Sequence, residues 1–241
     1  MLGARHTGQA HRLSTTSTAR SQRTKSGSSH RWLRRQRDDV YAQQARTDGY
    51  RTRSAYKLVA LNEKHRFLRP GGRCIDCGSN PGGWSQVAAE LVLSGGTDKA
   101  QPDAMHAREG LVVAVDLLPM PPLAGVHFVQ GDFRSDDVQR DVVRLLDGLP
   151  ADVVLSDMAP SLSGIRMADQ ARSMELCETA LYFAQQYLKE GGTFVCKIFM
   201  DGGDPSFQQQ LRSLFRKVHI EKPMASRKDS AESYLVCLDK Q

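Results

Sequence analysis

No apolar run in the 241 residues approaches the roughly 20 needed to cross a bilayer as a helix, which excludes a chain anchored by a transmembrane helix, and no membrane partner is expected. Cysteine is scarce and odd in number. Cys74, Cys77, Cys177, Cys196 and Cys237 are scattered through apolar stretches, which argues against a disulfide framework and for a reducing compartment. After Cys74 and Cys77 come no second C-x-x-C and no histidine cluster. Zinc would lack its ligands, both thiols read as packing on a buried strand, and no metal is expected. Acid is missing altogether from residues 1–37, which hold eight arginines and Lys25. Removing those nine from the 33 basic side chains leaves 24 against 27 acidic ones, so the net charge of +6 belongs mostly to the N-terminal segment. Nucleic-acid affinity of the remainder would need a local patch.

The same segment is poor in large apolar residues and cannot bury enough surface to fold alone. Arginine-rich, serine-rich and acid-poor is the composition of a mitochondrial targeting segment, and a secretory signal is excluded because there is no apolar h-region. The expected organisation is therefore 1–37 as a mitochondrial targeting or basic disordered segment and 38–241 as one folded domain, located in the mitochondrial matrix. A basic arm lying on RNA phosphates is the alternative, and the two roles are compatible.

From residue 53 the pattern alternates helix and strand. Ser54 is placed to cap a helix with Ala55, Leu58, Val59 and Phe67 on its apolar stripe, ended by Pro70-Gly71-Gly72. A short strand is expected at 73–77, and strands at 111–116, 126–130, 152–156 and 193–198 carry the continuous apolar signature of strands buried on both faces. Helices are expected at 84–93, 137–146, 174–188 and 207–215. Two closing strands, 218–221 and 234–238, have no long helix between them and can pair antiparallel. Residues 94–110 read as a polar surface insertion. The fold class is α/β: a single doubly wound, Rossmann-like domain with a mainly parallel sheet and an antiparallel last strand.

The segment 76–86, DCGSNPGGWSQ, follows a strand and opens a helix, where glycines let the backbone approach a ligand and free N–H groups face an anion. Gly78, Gly82 and Gly83 are spaced G-x-x-x-G-G, which is not the dinucleotide fingerprint and speaks against a nucleotide-dependent dehydrogenase. Asp116 ends the next strand, where a carboxylate can accept both hydroxyls of a ribose. Asp132 ends the third and can accept from an adenine amino group, with Phe133 beside the ring. Each acid alone is more often a helix cap or a loop residue. Together, at successive strand ends beside the glycine turn, they point to an adenosyl ligand.

Two lysines stand where a lysine is costly: Lys197 within the apolar strand at 193–198 and Lys57 within the apolar helix start at 55–59. Asp157 ends the fourth strand and Glu232 opens the last. Periodicity alone leaves two readings open, a structural ion-pair network or a reactive site.

Lys57 in RSAYKL, the loop DCGSNPGGWSQ with Pro81 and Trp84, Asp116 in VDLLPM, Asp132 in QGDF, Asp157 in SDMAP followed by Ser163-Gly164, Lys197 in FVCKIF and Glu232 in SRKDSAESY occur in one order. They resemble the motifs of the RrmJ/FtsJ family of ribosomal RNA 2′-O-methyltransferases, over about residues 50–240. The insertion and the basic leader resemble its mitochondrial branch. Asn80 departs from the small apolar residue usual in bacterial members and could add a hydrogen bond near the cofactor. The resemblance implies S-adenosyl-L-methionine as cofactor, held by Gly78, Pro81, Gly82, Gly83, Trp84, Asp116, Asp132, Phe133 and Asp157. It implies a catalytic tetrad of Lys57, Asp157, Lys197 and Glu232. The implied substrate is ribosomal RNA, within a large-subunit precursor, at a uridine of the mitochondrial large-subunit RNA. A ribose hydroxyl must lose its proton as it attacks the sulfonium methyl, and a lysine takes that proton only below its ordinary pKa of ~10.4, which nearby positive charge favours. Lys197 is the expected base or hydroxyl-orienting group and Lys57 its electrostatic partner.

Arg46, Arg51, Arg53, Lys57, Lys64, Arg66, Arg69 and Arg73 face only Asp48 and Glu63 in the segment 46–73, which reads either as a phosphate-binding patch or as a solvated helix face. Arg212, Arg216, Lys217, Lys222, Arg227 and Lys228 could extend it. The competing function is a ribosome assembly factor that keeps the fold without essential catalysis.

Overall fold

The computed structural model describes residues 39–94, 109–161, 163–199, 204–227 and 230–241. The expected targeting segment, all but the ends of the insertion at 94–110, and Lys228 lie outside them. The chain runs α1 (Val40–Thr47), α2 (Ala55–His65), β1 (Arg73–Cys77), α3 (Gly83–Val92), β2 (Leu111–Asp116), β3 (Val126–Gln130), α4 (Asp136–Leu145), β4 (Ala151–Ser156), α5 (Arg166–Tyr187), β5 (Leu188–Phe199), α6 (Pro205–Leu214), β6 (Phe215–Glu221) and β7 (Glu232–Lys240).

The strands form one sheet in the order β3-β2-β1-β4-β5-β7-β6. β1 to β5 pair in parallel, whereas β7 runs antiparallel to both neighbours. The doubly wound expectation holds, including the antiparallel last strand. The order reverses between β1 and β4, and a crevice beyond the carboxyl ends of the strands at such a switch is where ligands bind in open α/β sheets.

Alternation along the strands builds a core on each face. Ile75, Cys77, Val113, Val154 and Phe194 pack under α4, α5 and α6 against Val142, Phe183 and Leu211. Cys74, Val112, Val153, Val195 and Val236 pack under α2 and α3 against Leu58, Trp84 and Val87. Leu58 is fully buried, so truncating it to alanine costs about 2–5 kcal/mol. All five cysteines are buried and free, with Cys74 and Cys77 on β1 as packing residues.

Several local expectations change. β3 is an edge strand, half-exposed rather than buried on both faces. α5 begins eight residues before the expected 174, and α1 was not anticipated. Ser54 precedes α2 but its hydroxyl caps nothing; it pairs with the Thr52 hydroxyl at 2.7 Å. Phe67 lies beyond α2, which stops at Arg66 in the left-handed region (φ 52°) and turns Phe67 and Leu68 into the core.

Candidate active site

The four tetrad residues come together as two ion pairs. Lys57, from the first turns of α2, meets Glu232, the first residue of β7, at 2.6 Å. Lys197, near the end of β5, meets Asp157, just past β4, at 2.7 Å, and also donates to the Asp157 carbonyl at 2.9 Å. Both lysine side chains are about nine-tenths buried, which a cation tolerates only when paired. Tyr234 links the pairs: its hydroxyl donates to Asp157 Oδ1 at 2.8 Å and Lys57 Nζ stands 5.6 Å from its ring centre. Burial alone would push the Glu232 carboxyl up, but the charge and hydrogen bond of Lys57, with the charge of Lys197, hold it below the ordinary range. Burial pushes the Tyr234 phenol well above its usual value, with the Asp157 and Glu232 charges adding to it, so it remains a neutral donor. Nothing in the sequence pattern singles out Tyr234 for this role.

Asp157 also lines a cleft of about 540 Å³ at the carboxyl ends of β1 to β4, together with Gly78, Asn80, Asp116, Leu117, Leu118, Asp132, Phe133 and Met158. Four carboxylates, with Glu175 the fourth, among apolar faces suit a ligand carrying hydroxyls, an amino group and a flat ring. Gly78 sits at φ +75°, and a Cβ there would come within 2.1 Å of Met158 Cγ. Asp116 accepts from the backbone N–H groups of Asn80 and Leu118, one per oxygen and both at 2.8 Å, which leaves each oxygen a lone pair toward the cleft. A second cleft, of about 480 Å³, lies at the opposite strand ends beside Arg73 and Asp152, far from the two ion pairs.

Residues 50–240 match the FtsJ-like methyltransferases. The chain belongs to that family. It is 48% identical over 212 residues to a protein of Marinobacter nauticus named ribosomal RNA large subunit methyltransferase E, covering 88% of this chain and 96% of that one. A Neisseria gonorrhoeae protein of the same name is 45% identical over 217 residues, 90% and 98% of the two chains. A Plasmodium falciparum protein assigned as a ribosomal RNA methyltransferase has a crystal structure that superposes with a TM-score of 0.66 at 28% identity, over 79% of this chain and 98% of that one.

Within this FtsJ-like domain not every expected cofactor residue reaches the cleft. Pro81, Gly82, Gly83 and Trp84 are absent from its lining. Their positions answer to packing. A Cβ on Gly83 would come within 2.1 Å of Thr52 Oγ1, and one on Gly82 within 2.9 Å of Met120 Sδ. Trp84 is buried, donates its indole N–H to the Ser54 carbonyl at 2.9 Å and packs 5.5 Å from the Tyr234 ring. Asp132 does line the cleft, but Arg134 grips both its oxygens, and that hydrogen bonding holds its carboxyl below the ordinary range. The Asn80 amide donates to the Pro119 carbonyl at 2.9 Å, tying the loop after Asp116 to the glycine turn.

The basic patch at 46–73 is largely consumed within the fold. Arg51 donates to the carbonyls of Pro81, Pro121 and Pro122 at 3.0, 2.7 and 2.6 Å. Arg53 is bound to Asp39 and to the Ala225 carbonyl, Arg73 to the Leu146 carbonyl, and Lys64 to Glu221. Arg227, expected in the second cluster, also holds Asp39, at 3.0 Å. A one-dimensional charge count cannot see carbonyl partners contributed by distant loops. Among the described residues no group of three or more side chains is arranged to hold a metal ion, and no helix is long and apolar enough to cross a membrane.

Proposed function

We propose that this FtsJ-like methyltransferase uses S-adenosylmethionine to methylate the ribose 2′-hydroxyl of a uridine in large-subunit ribosomal RNA, as a step of ribosome assembly. The ribosomal RNA substrate is drawn from the names of the bacterial relatives. The observation that carries the chemistry is the placement of Asp157, which lines the cofactor-sized cleft and holds Lys197 through both its carboxylate and its carbonyl. Asp116 fits the ribose hydroxyls of an adenosyl ligand, and Leu117, Leu118 and Phe133 fit its ring. Bound there, S-adenosylmethionine supplies an electrophilic methyl on a positively charged sulfur.

This chain's residues then handle the proton. Two of the tetrahedral directions of Lys197 Nζ are taken by Asp157, and the remaining one is left for the acceptor hydroxyl. Lys197 would orient the acceptor hydroxyl and take its proton, while a cofactor held in the cleft by Asp116 and Asp157 would supply the methyl. Lys57, fixed by Glu232 and the Tyr234 ring, contributes positive charge nearby. Most of the remaining acceleration comes from alignment. The acid-free arginine-rich segment supports import into the mitochondrial matrix, and on that reading the target is mitochondrial ribosomal RNA.

The test is to map 2′-O-methylated positions in mitochondrial ribosomal RNA from cells with the protein, without it, and with Lys197→Ala in its place. One position should lose its methyl group both without the protein and with the variant. A methylation pattern unchanged by loss of the protein overturns the reading. Normal ribosome assembly with Lys197→Ala, despite a lost methyl group, would favour the assembly-factor alternative. Deleting residues 1–37 should leave the protein outside mitochondria; undiminished import of the truncated chain would refute the location.

A further inference from the structure

The cations around the cleft pose a question about how RNA is held. Lys57, Lys197, Arg53, Arg134 and Arg227 are each bound to a carboxylate, and Arg51 to carbonyls. Little free positive charge remains at these positions for a phosphate. It is found on the other wall of the cleft, where Ala159 and Ser161 lead into α5. Arg166, the first residue of α5, is exposed and its side chain makes no hydrogen bond or ion pair among the described residues. Arg172, further along α5, is exposed, donates to the Ser161 carbonyl at 3.4 Å, and its charge helps hold the Asp169 carboxyl below the ordinary range. On either side of Arg166 stand Ile165 and Met167, 66% and 83% exposed. These apolar side chains beside a cation lie in the chain between Ser161 and Glu175, which both line the cleft.

The lip is also held in shape. Asp169 accepts from the Ser163 N–H and hydroxyl, both at 2.7 Å, and from the Gly164 N–H at 3.0 Å. The Ser163 hydroxyl in turn accepts from the Ile165 N–H at 3.2 Å. Side chains on such a turn meet a ligand with less ordering entropy left to lose.

We propose that Ile165, Arg166, Met167 and Arg172 form the RNA-docking lip of this enzyme, Arg166 and Arg172 holding phosphates that flank the acceptor nucleotide while Ile165 and Met167 lie against its unstacked base. Unpaired RNA bases are held against flat or apolar side chains, and phosphate contacts fix register. The inference rests on the proposed RNA substrate, and charge complementarity favours RNA over a protein partner for the two exposed guanidinium groups.

The test titrates the full chain with unmethylated large-subunit ribosomal RNA across a series of salt concentrations. Arg166→Gln with Arg172→Gln should weaken binding and make the slope of log affinity against log salt shallower by about 1.4 to 1.8, the release expected for two phosphate contacts. Arg166→Lys should restore its share of the slope. Ile165→Ser with Met167→Ser should weaken binding at an unchanged slope, because apolar contacts release no counterions. Cofactor affinity by calorimetry should be unaltered in all. Unchanged RNA affinity in both pairs overturns the proposal, as does loss of binding only to an assembled ribosomal particle, which would make the lip a protein contact. Weakened cofactor binding would make it merely a cleft wall and overturn it equally. Failure of the unaltered protein to methylate RNA would overturn the proposed reaction while leaving these binding measurements to judge the lip.

Discussion

Tyr234 donates its hydroxyl hydrogen to the same Asp157 oxygen that pairs with Lys197, at 2.8 and 2.7 Å respectively. Because Lys57 stands over the ring of the same tyrosine, one buried side chain touches both ion pairs. Tyr234→Phe keeps the ring against Trp84 and removes only the hydrogen bond. Single-turnover methyl transfer at saturating cofactor should slow by roughly tenfold, the scale of a hydrogen bond to a charged group worth about 1.5 kcal/mol. An unchanged rate would show that Lys197 alone orients Asp157.

Asp116 should act on the cofactor and not on the proton. Asp116→Ala removes the acceptors that face the cleft and also frees the backbone N–H groups of Asn80 and Leu118. Cofactor affinity measured by calorimetry should fall by about 10- to 100-fold, on the order of 1.5–3 kcal/mol. Part of the rate should return at high cofactor concentration. Lys197→Ala should do the reverse, retaining cofactor binding while methyl transfer falls by about 10² or more.

Arg51 separates a fold contact from a nucleic-acid contact. Its guanidinium ties the glycine turn to the segment after Asp116. Arg51→Gln should therefore weaken cofactor binding several-fold and leave the salt slope of RNA binding where it was. A shallower slope with intact cofactor affinity would return Arg51 to the phosphate patch.

Asp76 carries a pH dependence. It is buried beneath the glycine turn, accepts from the Ser85 hydroxyl at 2.6 Å through one oxygen, and has no hydrogen-bond partner among the described residues for the other. Burial, with the Asp157 and Asp116 charges adding and Ser85 opposing, pushes its carboxyl up to about 7. An acid raised in the folded state binds more protons folded than unfolded, so its contribution is fully present below about pH 4 and is lost as pH rises through about 7. Urea midpoints of Asp76→Asn should show less loss across that window than those of the unaltered protein. Parallel pH profiles would mean that Asp76 ionises normally.

Where sequence and structure agree, the signal was local. β2 and β3 occupy the expected residues because Asp116 and the turn at Gly131 bound apolar β-branched runs, and Lys197 stood out because its strand neighbours are apolar. The misses depend on distant partners. α1 shows almost no apolar stripe, since only Ala42 and Ala45 are buried, and it is anchored through Asp39 to Arg53 and Arg227. The consumption of Arg51 by proline carbonyls 30 to 71 residues away leaves no trace in spacing. Trp84 stands out in the motif, but its indole hydrogen bond to Ser54 and its packing on Tyr234 leave no trace in spacing either.

β7 lies between β5 and β6 although it follows both in the chain. β5 and β6 therefore cannot bond to each other, and a partly synthesised chain presents both as open edges, the kind of template that recruits foreign strands. Glu232 rides on this late strand, so Lys57 stays without its carboxylate until the sheet is sealed. Assembly of the reactive centre and closure of the sheet are thus one event, and a molecule stalled before it is an inert one with a sticky seam.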